Sequence, residues 1–281
     1  MNEKIANQIA EMKKQTIGVE VEMNHIERSR AAKLAADFFG TGRYENTAAR
    51  NGYSTWSAWD TDGREWKFQK DVSIAGCDIE KCEMVTPILT YTDMETLQEL
   101  IRRLRKAGAK SDATRGCGVH IHIGAQSFNP VQIANFAKIF YKQEELILKS
   151  LGTWEHRLGH YAKRTDRGFI ERLNAIRQIT NESLNKAWFP SHYESHRYRD
   201  LNLNNIWRTG TIEVRAANGS THAGEIKANI ILCLAIAAKA LTAKSTSSKN
   251  RREYDTRSAK YDMRVFLVCG LGLNGDEFKN T

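Results

Sequence analysis

The stretch GVEVEMN, residues 18–24, decides how the chain is read. Side chains alternate between the two faces of a strand. Val19, Val21 and Met23 therefore share one face, and Glu20, Glu22 and Asn24 share the other. The first face suits a core. The second carries two like charges roughly 6–7 Å apart along the strand. Taken alone, the segment reads as a half-exposed antiparallel strand with a solvated face.

Working outward, the same design recurs. WKFQKDVSI (66–74) sets Phe68 and Val72 opposite Asp71 and Ser73, and CEMVTPIL from Cys82 carries Glu83. VHIHIG from Val119 sets Val119, Ile121 and Ile123 opposite His120 and His122. LNLNN from Leu201 sets Leu203 and Leu201 opposite Asn202 and Asn204; TIEVR from Thr211 sets Ile212 and Val214 opposite Glu213 and Arg215. A merely solvated sheet would also use Lys, Thr, Ser and Gln there. These faces are concentrated instead in side chains that ligate metals and phosphates. Gathered into one sheet, the strands form a concave polar floor.

Helices are expected between the strands. One runs from a capping box at Thr92 and Glu95 to Gly108, with Leu97, Leu100, Ile101 and Leu104 as its apolar stripe. A second starts at Asn129 with Pro130 in its first turn and runs to Gly152. A buried third spans Ala223 to Leu241, and a shorter one Arg28 to Phe39. Residues 153–200 are basic and aromatic with weak periodicity, and Lys244 to Lys260 reads as a mobile loop. The 281 residues carry no solenoid-length repeat and no interdomain linker, so a single domain over 1–281 is expected.

The formal charge of +9 and pI of 9.3 favour anionic partners such as nucleotides, nucleic acid, acidic peptides or carboxylates. Five cysteines form no CxxC pair, and the polar start MNEKIANQIAEMKKQ lacks a secretory apolar core. Free thiols in a cytoplasmic setting are expected. The most apolar run, Ile230 to Ala238, is too short to span a bilayer.

Clustered carboxylates repel, and each then takes up a proton or requires a counter-charge. Hard oxygen ligands with few nitrogens suit Mg²⁺ or Mn²⁺, and Mg²⁺ keeps places for water and phosphate. Arg215, beside Glu213, offers a charged fork for a phosphoryl oxygen or a carboxylate. No GxxxxGK[ST] loop or strand-following GxGxxG is present, so a nucleotide would be held by another route.

The ordered set GVEVEMN, Trp66-Lys67-x3-Asp71-x-Ser73, CEMVTPIL, CGVHIHIG, YRDLNL and GTIEVRAANGS resembles the amidoligases of the carboxylate–amine ligase superfamily, relatives of glutamine synthetase and glutamate–cysteine ligase. Each motif alone is weak; six in order from residue 18 to 221 are specific. Val72 departs from the family, which usually has glycine in a D-G-S turn, and 153–200 reads as a substrate-covering insertion. The resemblance implies an α+β chain with a glutamine synthetase-like fold: a curled antiparallel sheet with a polar catalytic face, and helices packed on the apolar face. It implies an ATP-dependent ligase that joins a carboxylate to an amine through an acyl phosphate. Carried over, Glu20, His120 and Glu213 share one Mg²⁺ or Mn²⁺, and Glu22 and Glu83 hold another with Asp71 beside them. Arg215, His122 and Asp71 are the implied catalytic residues. Arg215, His122, Asn202 and Ser73 face the nucleotide or the acyl phosphate.

Two other classes stay open at this point. H-x-H on a strand also serves metal-dependent hydrolases, although the remaining histidines fall mostly in loops. The net charge and the aromatic, basic 153–200 region would also serve a nucleic-acid-binding protein. The substrates, which could include a peptide or another anionic macromolecule, have no signature in the sequence.

Overall fold

A computed structural model describes residues 3–189, 196–246 and 250–279. The chain opens with α1 (Glu3–Lys14), β1 (Ile17–Met23), α2 (Arg28–Phe39), β2 (Tyr44–Asn46) and α3 (Ala48–Asn51). β3 (Trp56–Trp59), β4 (Glu65–Gln69), β5 (Cys82–Val85), α4 (Met94–Lys106) and β6 (Gly118–Gly124) follow. Then come α5 (Pro130–Ser150), α6 (Glu155–His160), α7 (Arg167–Ala175) and α8 (Asn181–Trp188). The last elements are β7 (Leu201–Asn202), β8 (Thr211–Asn218), α9 (Ala223–Thr242) and α10 (Ala259–Val265). The fold is α+β: helices alternate irregularly with strands, and the pairs β1–β5, β2–β3, β3–β4, β4–β5 and β7–β8 are all antiparallel.

The chain packs as two compact units, neither of them contiguous in sequence. A strand-rich unit takes Thr16–Ile121 and Ala217–Asn229. A helix-rich unit takes Met1–Gln15, His122–Ala216 and Ile230–Thr281.

In the strand-rich unit the strand order is β2-β3-β4-β5-β1-β6. Val19, Val21 and Met23 of β1, Trp66 and Phe68 of β4, and Cys82 and Met84 of β5 are buried. The α2 helix packs against β2, β3 and β4, and against α4. Phe39 meets Trp66 with ring centroids 5.1 Å apart. Small Ala31, Ala32, Ala35 and Ala36 form the buried stripe that lets α2 lie close to the strands. Gly40, at φ 73°, ends it in the left-handed conformation. The α4 stripe is Leu97, Leu100, Ile101 and Leu104, as the spacing predicts. Its cap lies two residues earlier than expected. Asp93 Oδ2 accepts from the Thr90 N–H (2.8 Å) and hydroxyl (3.0 Å), and a 3₁₀ turn over Tyr91–Asp93 leads in.

The largest local departure from the sequence reading is at 66–74. The strand stops at Gln69, and Asp71 to Ser73 form a turn. The Ser73 N–H donates to Asp71 Oδ1 at 2.6 Å, the Asx turn that competes with a ladder. Val72 therefore does not share the core face of Phe68; it is 79% exposed. Its φ is not positive, so this turn does not need the glycine that the family carries.

In the helix-rich unit β6, β8 and β7 follow one another in that order, with Leu201 opposite Val214 and Asn202 opposite Glu213. LNLNN alternates as a strand only to Asn202; Asn204–Trp207 is a 3₁₀ turn. The α5 helix begins at Asn129, which forms a capping box with Gln132. It packs against α7, α8 and α10. Phe169 meets Trp188 edge-on at 4.9 Å. Every residue from Ile230 to Ala238 of α9 is buried. The segment 153–200, weakly periodic in sequence, holds α6, α7 and α8, each fewer than ten residues long. Its Tyr193 and His192 lie outside the described residues. Among the described residues no helix is long and apolar enough to cross a membrane. Among the described residues no disulfide forms, and Cys117 is buried.

The turn that carries Asp71 is held from behind. The Ala75 N–H donates to Arg115 O at 2.8 Å, and Gly116, at φ 81°, lets Ser73 O approach so closely that a Cβ would stand 2.4 Å from it. Gly116→Ala combines a strained backbone with that clash. It is expected to destabilise the protein by about 1–3 kcal/mol and to displace Asp71. Chemical denaturation of the two proteins side by side measures the loss, and an unchanged midpoint would show that the turn is not held here.

Candidate functional site

Two clusters of the expected residues form, one in each unit. In the strand-rich unit, antiparallel register places Glu22 of β1 directly opposite Glu83 of β5. Both are buried, at 3% and 4% exposure. Like charges facing each other across a ladder destabilise it. Burial, first, and then the charges of Glu20 and Glu22 push the Glu83 carboxyl well above the usual carboxylate range. Gln69, opposite Glu83 on β4, opposes the shift by donating from Nε2 to Glu83 Oε2 at 2.6 Å.

The surrounding donors fix the remaining oxygens. The Gly118 N–H donates to Glu22 Oε2 at 2.5 Å, so the start of β6 holds this carboxylate. Two residues on, buried His120 donates from Nδ1 to Glu20 Oε2 at 2.9 Å. Its Nε2 stands 3.8 Å from Glu22 Oε1. A carboxylate on Nδ1 sets the tautomer that leaves Nε2 its lone pair. Glu20, Glu83 and His120 each bring one ligand atom within 4.8 Å of the others, and so do Glu22, Asp71 and Glu83. Ser73 contributes its backbone N–H to Asp71.

The helix-rich cluster is built around the Glu213 carboxylate of β8, 2% exposed. Asn202 Nδ2 donates to Oε2 at 2.6 Å, and Asn205 Nδ2 to the same oxygen at 2.9 Å. Arg215 Nη1 donates to Oε1 at 2.5 Å, and His122 Nε2 lies 4.0 Å from that atom. His122 Nδ1 is 3.2 Å from Thr211 Oγ1. Arg215 is itself oriented from the 153–200 segment. Its Nε donates to Tyr161 O at 3.3 Å, and buried Arg157 donates from Nη2 to Arg215 O at 3.3 Å.

Behind β7 lies a second acidic pair. Glu144 of α5 and Asp200 are both fully buried. Asp200 Oδ1 accepts from the Thr165 hydroxyl at 2.9 Å and from the Leu201 N–H at 2.8 Å. Arg251 is ion-paired with Glu144 at 2.5 Å. Burial, and then the facing Glu144 charge, push the Asp200 carboxyl well above its ordinary range. Two buried carboxyls that face each other cannot both ionise without cost, so the pair favours holding a proton. The Arg215 N–H donates to Asp200 O at 2.7 Å, so this pair backs the strand that carries Glu213 and Arg215.

The strand-rich cluster offers hard oxygen donors with one imidazole, and its buried facing carboxylates need a positive charge between them. That donor set fits Mg²⁺ or Mn²⁺ better than a closed thiolate or imidazole site. The helix-rich cluster offers a guanidinium, two carboxamides and an imidazole beside one carboxylate, a set that can grip phosphate or carboxylate oxygens. Gln69 and Asn205 were absent from the sequence expectation. Gln69 was legible, since alternation from Trp66 and Phe68 puts it on the polar face. Asn205 was not, because it lies in a 3₁₀ turn where alternation ends.

A family model described as "Putative amidoligase enzyme" matches residues 13–237. No curated protein sequence matches the chain. Among solved structures the chain is similar to a bifunctional glutathione synthetase from Pasteurella multocida, at 12% identity and a TM-score of 0.44, over 100% of this chain and 48% of that one. It is also similar to the complex between the prokaryotic ubiquitin-like protein Pup and its ligase PafA, at 10% identity and a TM-score of 0.37, over 84% of this chain and 48% of that one. The chain thus spans about half the length of each, 48% in both cases.

Glu83→Gln removes one of the two facing charges. In the presence of a chelator the variant is expected to be more stable than the wild type, by on the order of 1 kcal/mol. The stabilisation that added Mg²⁺ gives is expected to shrink. Thermal denaturation with and without Mg²⁺ measures both, and a variant as responsive to Mg²⁺ as the wild type would remove Glu83 from the ligand set. Asp200→Asn tests the buried pair. A carboxyl whose pKa is raised on folding adds stability that is full below its unfolded value, near about 4, and is lost as pH rises through the folded value. The wild type should therefore lose stability relative to Asp200→Asn as pH rises from about 4 to 8. Denaturation midpoints across that range should converge toward acid and diverge toward neutrality; parallel curves would contradict the shared proton.

Proposed function

The chain belongs to the family described as "Putative amidoligase enzyme", and on that premise we propose that it is an ATP-dependent ligase joining a carboxylate to an amine. The observation that carries the reading is the register of Glu22 on Glu83, two buried carboxylates face to face. A chain that keeps such a pair needs a divalent cation or a proton there. The residues that would hold Mg²⁺ or Mn²⁺ are Glu20, Glu22, Glu83 and His120, with Asp71 beside them, and Glu213 as the acidic ligand of the second cluster. When bound, the cation offsets negative charge on the nucleotide phosphates.

In this reading the substrate carboxylate attacks the γ-phosphoryl group of ATP and ADP leaves. The amine then attacks the acyl carbon, and inorganic phosphate leaves as the amide forms. Arg215 supplies two parallel N–H donors to oxygens whose charge grows in the transition state. Asn202 and Asn205 hold one oxygen of Glu213 and leave the other turned toward Arg215. His122 contributes a further donor, and Ser73 a polar group in the Asp71 turn. The 153–200 segment chooses the substrate, since Arg157 and Tyr161 orient Arg215 through its backbone and its Nε. We treat 1–281 as one catalytic domain on this reading, acting in the cytoplasm.

Glu213→Gln keeps size and removes the charge; Arg215→Lys keeps charge and removes the fork. Both variants should fold, and both should lose on the order of 10²–10³ in ATP turnover. The assay supplies pairs of carboxylates and amines and follows ADP together with product mass. Wild-type protein that turns over no ATP with any pair, but binds single-stranded nucleic acid with a steep salt dependence indifferent to both substitutions, would replace the ligase with a nucleic-acid-binding protein.

A further inference from the structure

The helix-rich unit contains a cavity of about 320 Å³ that shares no residue with the Glu213 cluster. Lys138, Lys142 and Gln143 of α5 line it, together with Lys239 of α9. Phe266 and Leu271 form its apolar wall. Among the described residues no acidic one lines it.

Three positive charges in one small cavity require an explanation. Lys138 and Lys142 are one turn apart on the same helix face, where like charges repel. Lys138 is only 9% exposed, so most of its side chain has left water. Burial holds its ammonium below the ordinary lysine range, and no carboxylate offsets that. Burial acts on Lys239 in the same direction, and the nearest charge that acts on it is another lysine, Lys4. Beside them Gln143 Oε1 is buried without a hydrogen-bond partner. A buried ammonium without a counter-charge destabilises a fold strongly. An unsatisfied buried amide oxygen adds to that. Both are explained if a ligand supplies the missing groups.

We propose that this cavity, walled by α5, α9 and the π-helical turn Phe266–Gly270, binds a small phosphorylated molecule carrying at least two negative charges. Compact ammonium groups suit phosphate as point charges, whereas paired recognition of a single carboxylate favours arginine. One negative charge would leave two lysines uncompensated. The volume lies at the low end for small-molecule sites. Gln143 Oε1 would accept from a hydroxyl of the ligand, and Phe266 and Leu271 would cover its apolar part. A π-helical turn is an irregularity that recurs at functional sites, and here it forms the wall that completes the cavity.

Inorganic pyrophosphate is the probe, added to the full chain with a chelator present and with ionic strength held constant by sodium chloride. A saturable rise in the denaturation midpoint is expected. Lys138→Met should melt higher than the wild type without pyrophosphate, because a buried charge is gone, and should bind it at least tenfold more weakly. Lys239→Gln should show the same weakening. If Lys138→Met does not fold, the exposed Lys142→Gln carries the affinity test. Arg215→Lys should keep a saturable response, which separates this cavity from the ligase reading. A rise that sodium sulfate reproduces without saturation, a full response in the lysine variants, or loss of the response in Arg215→Lys would each overturn the proposal. So would stabilisation by a single-stranded oligonucleotide with none by pyrophosphate.

Discussion

The confrontation of Glu22 with Glu83 governs the strand-rich unit. Antiparallel pairing makes the two residues exact neighbours, and the apolar face of each strand is committed to the core. Neither carboxylate can therefore turn away without dragging Val21 or Met84 out of the interior. What the fold does instead is surround them. Gln69 donates to one, the Gly118 amide to the other, and His120 braces Glu20 alongside. None of these neutral donors cancels the charge. They arrange the oxygens and leave the charge to a proton or a cation, which is the behaviour expected of a site prepared for chemistry rather than for stability.

The helix-rich cluster solves the opposite problem. Glu213 is fully compensated by its own neighbours, with Arg215 on one oxygen and two carboxamides on the other. Such an arrangement is rigid. Arg215 is held at its backbone by Asp200 and Arg157, and at its Nε by the Tyr161 carbonyl. A guanidinium restrained at so many points loses little freedom when a ligand arrives. The 153–200 segment thus reaches Arg215 through the buried Arg157 side chain and the Tyr161 and Asp200 carbonyls, so its exposed side chains are free to vary without disturbing Arg215.

Much of this was legible in the sequence, for a definite reason. β1, β6 and β8 alternate between apolar and ligand-type residues over their central residues, and β5 carries Glu83 between buried Cys82 and Met84; that period survives any tertiary context that buries one face. α2, α4, α5 and α9 announce themselves through apolar stripes, caps and, in α9, a continuous apolar run. The failures are equally physical. Alternation in WKFQKDVSI runs on past the end of the strand, because the pattern cannot register that the Asp71 side chain captures the Ser73 amide. Thr90 and Thr92 both precede an acid by three residues, and only packing selects Thr90. α6, α7 and α8 are too short for a 3.6-residue period to rise above noise. The α1 helix is masked by its polar composition, with little beyond Met12 and Gln8 on the inside. Glu144, Asp200 and Arg251 come together from positions far apart in the chain, and no local pattern links them. The same holds for the three lysines of the cavity.

β6 leaves the strand-rich unit after Ile121, and β8 and α9 also change units within their length. This has a consequence for how the protein is born. A ribosome delivers residues 16–121 first, but the strand-rich unit is complete only when 217–229 have emerged. For close to a hundred residues of synthesis the nascent chain must carry β1 and β5, with their facing glutamates, in an unfinished unit. The strand-rich unit can then close only after 217–229 has emerged, and the helix-rich unit only after 230–281 has followed. Shortening the gene within the codons for 230–281 is accordingly expected to damage the helix-rich unit before the strand-rich one.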